Sequence, residues 1–359
     1  MKRSDLIFSR PLELQATAPA EVRGISRDQA RLMVSDENGH RHAQFRDLPD
    51  FLNPGDLLVV NDSATIPASL PANGAIGEFI VNLCTDYGSG LWLVEPRWSS
   101  AQPGPLPLEP GTIITVGDLN ARLVCPFPGL PRLWFVQFAD AASVRTAMAR
   151  FGTPIRYGYV ETSYPLSAYQ TVFSKVPGSA EMPSAAYPFT ERLIAALRRK
   201  GIQIASLTLH TGVSSLEVEV DDVEQHPLYP EPFHIPEATA NAVNAARAER
   251  RQVIAVGTTV VRALESAWDG QRVNPMRGFT RAYIHPRRGL HVADSLITGL
   301  HDPVTSHLAM LYAIAGQDVI RSAYAEAVQK GYLWHEFGDS HLILSCAICR
   351  AKNRLAAAA

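Results

Sequence analysis

Three stretches of the chain set small polar residues or a histidine directly after an apolar run: Val253-Ile-Ala-Val-Gly257-Thr258-Thr259, Leu207-Thr-Leu-His210-Thr211-Gly212 and Leu296-Ile-Thr298-Gly299-Leu-His301. An apolar strand that ends in Gly-Thr-Thr and turns into a helix aims backbone N–H groups and two hydroxyls at one point, which suits a carboxylate or phosphate. The same residues also fit a plain helix cap at Thr258 or Thr259, and pattern alone does not separate the two. His210 and His301 titrate near neutrality and qualify for proton transfer, although a single histidine at a strand end serves equally as a structural hydrogen-bonding residue. Ligands of open α/β sheets bind beyond the carboxyl ends of the strands, so the three strand ends fit one shared site.

Other chemistries find less support. His210, His226, His234 and His301 lie far apart, and neither HExxH nor paired CxxC spacing joins them, so no metal site is expected. Cys346-Ala-Ile-Cys349 is a single CxxC; with Cys84 and Cys125 it makes four scattered cysteines, too few for a disulfide framework and best read as reduced thiols. There is no GxGxxG opening a βαβ unit and no phosphate-binding GxxxxGKS/T, which disfavours dinucleotide and nucleoside-triphosphate enzymes.

The elements that must carry these residues fall into two rhythms. From Gly55 to about Arg150 short β-rich runs alternate with turns, as in Glu78-Phe-Ile-Val-Asn-Leu83, Leu91-Trp-Leu-Val94, Thr112-Ile-Ile-Thr-Val116, Ala121-Arg-Leu-Val124 and Leu133-Trp-Phe-Val-Gln-Phe138. That spacing predicts an antiparallel barrel or sandwich. After about Phe151 strands alternate with helices, the mark of an α/β layer with a mixed, largely parallel sheet flanked by helices. Helices are predicted over 190–199 capped by Thr190, from Pro236 toward Arg250, from about Val260, from Thr305 or Ser306 through Ala315, and over 319–330. We therefore expect a discontinuous α/β domain of residues 1–60 and 151–345, an inserted antiparallel β-barrel domain of residues 61–150, and a tail of residues 346–359.

Composition sets the remaining bounds. Of 359 residues 46% are hydrophobic and 19% charged, a balance that builds a sizeable core and excludes disorder. No apolar run reaches the roughly 18 residues of a membrane span or resembles a signal peptide, so a cytoplasmic protein with no membrane association is expected. A net charge of −2 neither advertises nor excludes RNA, because affinity for phosphates needs only a local basic surface. Local clusters occur at Arg198-Arg199-Lys200, at Arg247 with Arg250 and Arg251, and at Arg287-Arg288.

In their order along the chain, several segments resemble the S-adenosylmethionine:tRNA ribosyltransferase-isomerases of queuosine synthesis. They are Phe45-Arg-Asp-Leu-Pro49, Pro54-Gly-Asp-Leu-Leu-Val-Val-Asn61-Asp62, Ile66-Pro-Ala68, Tyr169-Gln-Thr-Val172, Pro183-Ser184-Ala185, Leu207-Thr-Leu-His210, Gly257-Thr-Thr with Val261-Arg262-Ala-Leu-Glu-Ser266, Leu296-Ile-Thr298, His301 and Gly338-Asp339. The resemblance implies an α/β domain interrupted by a β-barrel. It also implies transfer of the ribosyl part of S-adenosylmethionine, used as a substrate, to a deazaguanine base at the tRNA wobble position, with rearrangement to epoxyqueuosine. No metal is implied, and a monomer is expected.

Such chemistry needs a base for the carbon beside the sulfonium, a pocket for adenine and a seat for the methionine carboxylate. On this sequence Gly257, Thr258 and Thr259 fit the seat, with Asn61, Asp62, Ser184, Gly212, Arg262 and Thr298 as further substrate-binding residues. His210 or His301 would move the proton. The chain departs from the family pattern at Pro188, where a His is usual, at Thr211-Gly212-Val213-Ser214-Ser215-Leu216, at His226-Pro227-Leu228, at Val304 in place of Lys, and at Ala64 and Ser69 in place of Arg. These departures leave two other readings open: a non-catalytic paralogue that binds RNA or a nucleoside, and an S-adenosylmethionine-using enzyme with a different acceptor.

Overall fold

The structure, a computed structural model of the chain, describes residues 1–213 and 217–344. Ser214, Ser215, Leu216, Cys346 and Cys349 lie outside the described residues, and with them the readings made of that turn and of the thiol pair. Cys84 and Cys125 are free thiols.

The strands in chain order are β1 Arg31–Asp36, β2 Gly39–Gln44, β3 Leu57–Asn61, β4 Ser63–Thr65, β5 Ser69–Gly74, β6 Gly77–Asp86, β7 Leu91–Arg97, β8 Ile113–Val116, β9 Leu119–Phe127, β10 Leu130–Gln137, β11 Val176–Ser179, β12 Gln203–Leu209, β13 Glu231–Ile235, β14 Val253–Val256, β15 Met276–Thr280, β16 Ser295–Gly299 and β17 Ser340–Leu344. The helices are α1 Ala141–Phe151, α2 Glu191–Arg199, α3 Glu237–Ala248, α4 Thr258–Ser266, α5 Ser306–Ala315 and α6 Gln317–Gln329.

Nine strands form one mixed sheet in the order β15-β13-β12-β3-β14-β16-β17-β1-β2. Its centre, β12-β3-β14-β16, is parallel throughout, whereas β13, β15 and β2 join antiparallel. β3 and β14 in the middle are buried on both faces, which is why they read as the unbroken apolar runs Leu57-Leu-Val-Val60 and Val253-Ile-Ala-Val256. Leu57 and Val59 point into one core with Ala255, Leu207 and residues of α3 to α6, while the alternate Leu58 and Val60 point into a second with Ile254, Val256 and Leu193, Ile194 and Leu197 of α2.

Strands β5 to β10 close into a six-stranded barrel, β10-β7-β6-β5-β8-β9, in which every pairing is antiparallel. Leu70, Val81, Leu83, Leu93, Ile114, Leu123 and Val136 fill its interior. Two elements of this region were not foreseen. Pro71, Asn73 and Gly74 disguise β5, and α1 follows the last barrel strand, capped by Asp140, whose carboxylate accepts from Ser143 N at 2.8 Å. Val144, Ala147 and Met148, spaced one helical turn apart, bury α1 against the barrel.

Elsewhere the helix signals read from the sequence acted as physics requires. Thr190 Oγ1 accepts from Leu193 N and donates to the buried Asp28, so one side chain both caps α2 and fixes its entry. Gly316, at φ +85°, ends α5. No helix among the described residues is long and apolar enough to cross a membrane.

Candidate active site

The parallel centre of the sheet sets four carboxyl ends side by side: Leu209 on β12, Asn61 on β3, Val256 on β14 and Gly299 on β16. At the end of β14 the chain turns through Gly257, whose φ of +100° only glycine adopts without strain, and α4 begins at once with Thr258. Gly257 is therefore the N-cap, with no side-chain cap bond, and the cap reading of Thr258 and Thr259 falls away. Both threonines are instead nearly buried residues of the first helical turn, whose N–H groups lack intrahelical acceptors. Asn61 supports this turn: its Nδ2 donates to Thr259 Oγ1 at 3.3 Å and to Leu209 O at 2.8 Å, tying three strand ends together.

A cleft opens over these ends. Gly257, Thr258, Thr259 and Arg262 form one wall, Thr298 and His301 the next, and Ser184 with Glu181 a third. Thr298 Oγ1 lies 2.7 Å from His301 Nε2, and the His301 ring stacks on His307 at 4.5 Å. Burial first, then the neighbouring His307, His335 and His341, holds His301 well below the usual histidine range, so it is neutral at physiological pH. His307 is pushed down to about 4 by burial and then by Arg262. Arg262 forms an ion pair with the buried Glu231, whose other oxygen accepts from Gly212 N at 2.8 Å.

The cleft also gathers groups that the sequence reading did not single out: Tyr159, Glu181, Asp302, His335 and Glu336. Burial, and then the charge of Glu181, raises Glu336 to about 8, so its carboxyl keeps its proton at neutral pH. Glu181 accepts a hydrogen bond from Tyr157. His335 stacks on Tyr159 at 4.5 Å and its Nε2 lies 2.6 Å from Asp302 Oδ2. Among the described residues, no group of three or more His, Cys, Asp and Glu is placed to hold a metal ion.

Other expected site residues lie apart from the cleft lining. His210 faces β4 and β11: its Nδ1 lies 2.7 Å from Ser63 Oγ, which meets Ser179 Oγ at 2.7 Å, and burial lowers its pKa against the opposing charge of Asp62. Asp62 accepts from Thr208 at 2.6 Å. Gly212 sits where a Cβ would come within 2.4 Å of the Tyr229 hydroxyl. His210 is packed so closely that a Cβ on Gly178 would lie 2.5 Å from its Nδ1. Gly178→Ala is accordingly expected to destabilise the protein by about 1–3 kcal/mol, read as a lower midpoint in urea unfolding with an unchanged slope.

Pro188 is buried and is not among the lining residues, which on this turn run from Glu181 to Ala185. Leu228 lines a neighbouring pocket with Tyr229 and Tyr283. Of the basic clusters, Arg247 donates to His291 O, Arg251 to Gly55 O, and Arg287 and Arg288 pair with Glu224 and Glu265.

With this geometry in place, comparison with known proteins is direct. The family model described as "Queuosine biosynthesis protein" matches residues 3–343. The chain belongs to that family. Among curated members of the queuosine biosynthesis family, the S-adenosylmethionine:tRNA ribosyltransferase-isomerase of Thermus thermophilus is 39% identical over 327 residues, covering 89% of this chain and 93% of the relative. The protein of the same name from Anaeromyxobacter dehalogenans is 35% identical over 352 residues, covering 96% and 99%. A solved queuosine-family structure, S-adenosylmethionine tRNA ribosyltransferase from Thermotoga maritima, aligns with a TM-score of 0.52 at 27% identity, covering 95% of this chain and all of that one.

Proposed function

We propose that the chain transfers the ribosyl part of S-adenosylmethionine to a deazaguanine base at the wobble position of tRNA and isomerises it, giving epoxyqueuosine. Family membership over nearly the whole chain supports the reaction class. The observation that carries the reading to this cleft is the open amide end of α4 facing proton-transfer groups on the opposite wall.

The N–H groups and hydroxyls of Thr258 and Thr259 seat the methionine carboxylate, helped by the positive end of the helix dipole. Arg262 already has its charge matched by Glu231 and serves as wall. Glu336, protonated at neutral pH, donates to the departing adenine, and neutral His301 with Thr298 supplies fixed hydrogen bonds. Asn61 positions Thr259, whereas Asp62, His210 and Gly212 brace the strand ends from outside the cleft; Ser184 lines it. No step of this scheme calls for a metal. The tRNA acceptor puts the work in the cytoplasm, and a monomer is the expected form.

The test is to incubate the protein with labelled S-adenosylmethionine and tRNA carrying the precursor base, following adenine release and label in tRNA. Binding of S-adenosylmethionine without transfer to this tRNA points to another acceptor, and binding of neither substrate to a non-catalytic paralogue. Replacing Thr258 and Thr259 together by Val is expected to weaken S-adenosylmethionine binding by about 1–3 kcal/mol, roughly five- to 150-fold, by titration calorimetry. Unchanged affinity would move the carboxylate seat elsewhere.

A further inference from the structure

His335 lines the cleft, yet its backbone sits at φ +73°, a region that few non-glycine residues occupy. The turn that imposes it is tight: Gly338 N donates to His335 O at 2.9 Å, and a Cβ on Gly338 would lie 2.4 Å from Leu333 O. A strained residue that persists at a cleft wall is held there by its surroundings. Here they are specific. Asp302 Oδ2 lies 2.6 Å from His335 Nε2, Arg10 Nη2 lies 2.8 Å from Asp302 Oδ1, and Tyr159 stacks on the imidazole face.

This arrangement holds the imidazole against the carboxylate at the cleft wall. The 2.6 Å contact of Nε2 with the Asp302 carboxylate and the stack on Tyr159 orient the ring, and an imidazole held at the cleft wall is a group that can take up a proton. The scheme proposed above assigns a proton donor for adenine but leaves the carbon beside the sulfonium without a base. We propose that His335 is that base, and that Asp302 and Arg10 are positioning residues that act through it. This rests on the ribosyl-transfer reading of the same cleft. In the step, a C–H bond at the 5′ carbon breaks, an N–H bond forms on the His335 imidazole, and the electron pair stays on carbon beside the positive sulfur.

The titratable and charged groups facing His335 come from every neighbouring element: Asp302 and His301 from the loop between β16 and α5, Arg10 from the N-terminal segment, Tyr159 from the connection after α1, and Glu336 beside it. Asp302 stays ionised in this setting. Burial works to raise its pKa, but His335 and Arg10 outweigh burial and hold it below the usual carboxylate range.

The test uses the full chain, precursor tRNA and S-adenosylmethionine tritiated at the 5′ carbon, measuring label released to water beside adenine release. Asparagine tolerates the left-handed backbone, so His335→Asn removes the base while keeping the turn. It is expected to slow label release by roughly 10²–10⁴-fold with S-adenosylmethionine affinity within about threefold of the parent. Asp302→Asn should lower kcat about 10–100-fold at unchanged KM. A fall in kcat alone separates positioning from a merely structural role, which would move KM and stability with it. Arg10→Gln should give a smaller loss in the same parameter. Label release by His335→Asn at the parent rate, or an unchanged kcat in Asp302→Asn, overturns the assignment while leaving ribosyl transfer intact. A parent protein that releases neither adenine nor label removes the reading on which it rests.

Discussion

Glu336→Gln is expected to cut turnover by roughly 10²–10⁴-fold and to erase the alkaline limb of the pH–rate profile. In the parent, burial and then Glu181 raise the Glu336 carboxyl to about 8. A donor with that pKa is competent below it, so activity should hold through neutrality and fall as pH rises through about 8. Gln cannot deliver a proton at any pH, and its profile should be flat where the parent declines. Glu181→Gln is the companion measurement. Removing the charge that helps raise Glu336 should shift the limb to lower pH while Glu336 remains able to donate. Stability separates this from damage to the fold. A carboxyl whose folded pKa lies above its unfolded value of 4.5 binds more protons in the folded state between the two, so the parent loses stability as pH rises through that window. Glu336→Gln carries no such penalty and should be at least as stable as the parent at pH 8, by urea unfolding. A variant that keeps parental turnover would take proton donation away from Glu336.

Glu231→Ala is expected to cost about 3–5 kcal/mol, the largest loss of stability among single changes near the cleft. The Glu231 side chain is 3% exposed and its Arg262 partner 13%, so truncating the carboxylate strands a charge with little access to water. Arg262 Nε would keep its bond to Ala282 O at 3.1 Å, but the rest of the guanidinium would lose its counter-charge. The same truncation orphans Gly212 N, which now donates to Glu231 Oε1 at 2.8 Å. Glu231→Gln keeps an acceptor for Gly212 while removing the charge, and should fall between the two. The readout is the midpoint of guanidinium unfolding, with the slope unchanged. A loss below about 1 kcal/mol would mean that water reaches Arg262 more readily than its burial indicates.

What the residues disclosed, and what they hid, follows from where each kind of order is stored. The Gly257-Thr258-Thr259 turn was legible because a buried strand, a positive-φ glycine and a helix start are written consecutively. The closed barrel was legible from its turn spacing, except for β5, where Pro71 faces outward from a strand whose alternate residues Leu70 and Ala72 are buried. The hairpin of β1 and β2 was missed because β2, Gly-His-Arg-His-Ala-Gln, holds almost nothing apolar; cross-strand pairing with β1 makes it a strand. Tyr159, Glu181, His335 and Glu336 sit on irregular connections, where no period marks a side chain as facing a cleft. Asp302 directly follows His301, yet its meaning depends on Arg10, which lies almost the whole chain away. His210 shows the opposite ambiguity. A strand end displays a histidine equally whether it faces ligand or, as here, the hydroxyls of Ser63 and Ser179.

The order of the nine strands also governs how the molecule is made. β17 lies between β16 and β1, and the β1–β2 hairpin reaches the rest of the sheet only through it, with Val34 beside Leu342. A chain leaving the ribosome makes that hairpin long before residue 344 and must hold it unjoined until that residue has been synthesised. His335 and Glu336 arrive on the same late segment. Until then the growing chain carries an unpaired strand edge and no complete cleft, a long interval in which a chaperone has something to shield.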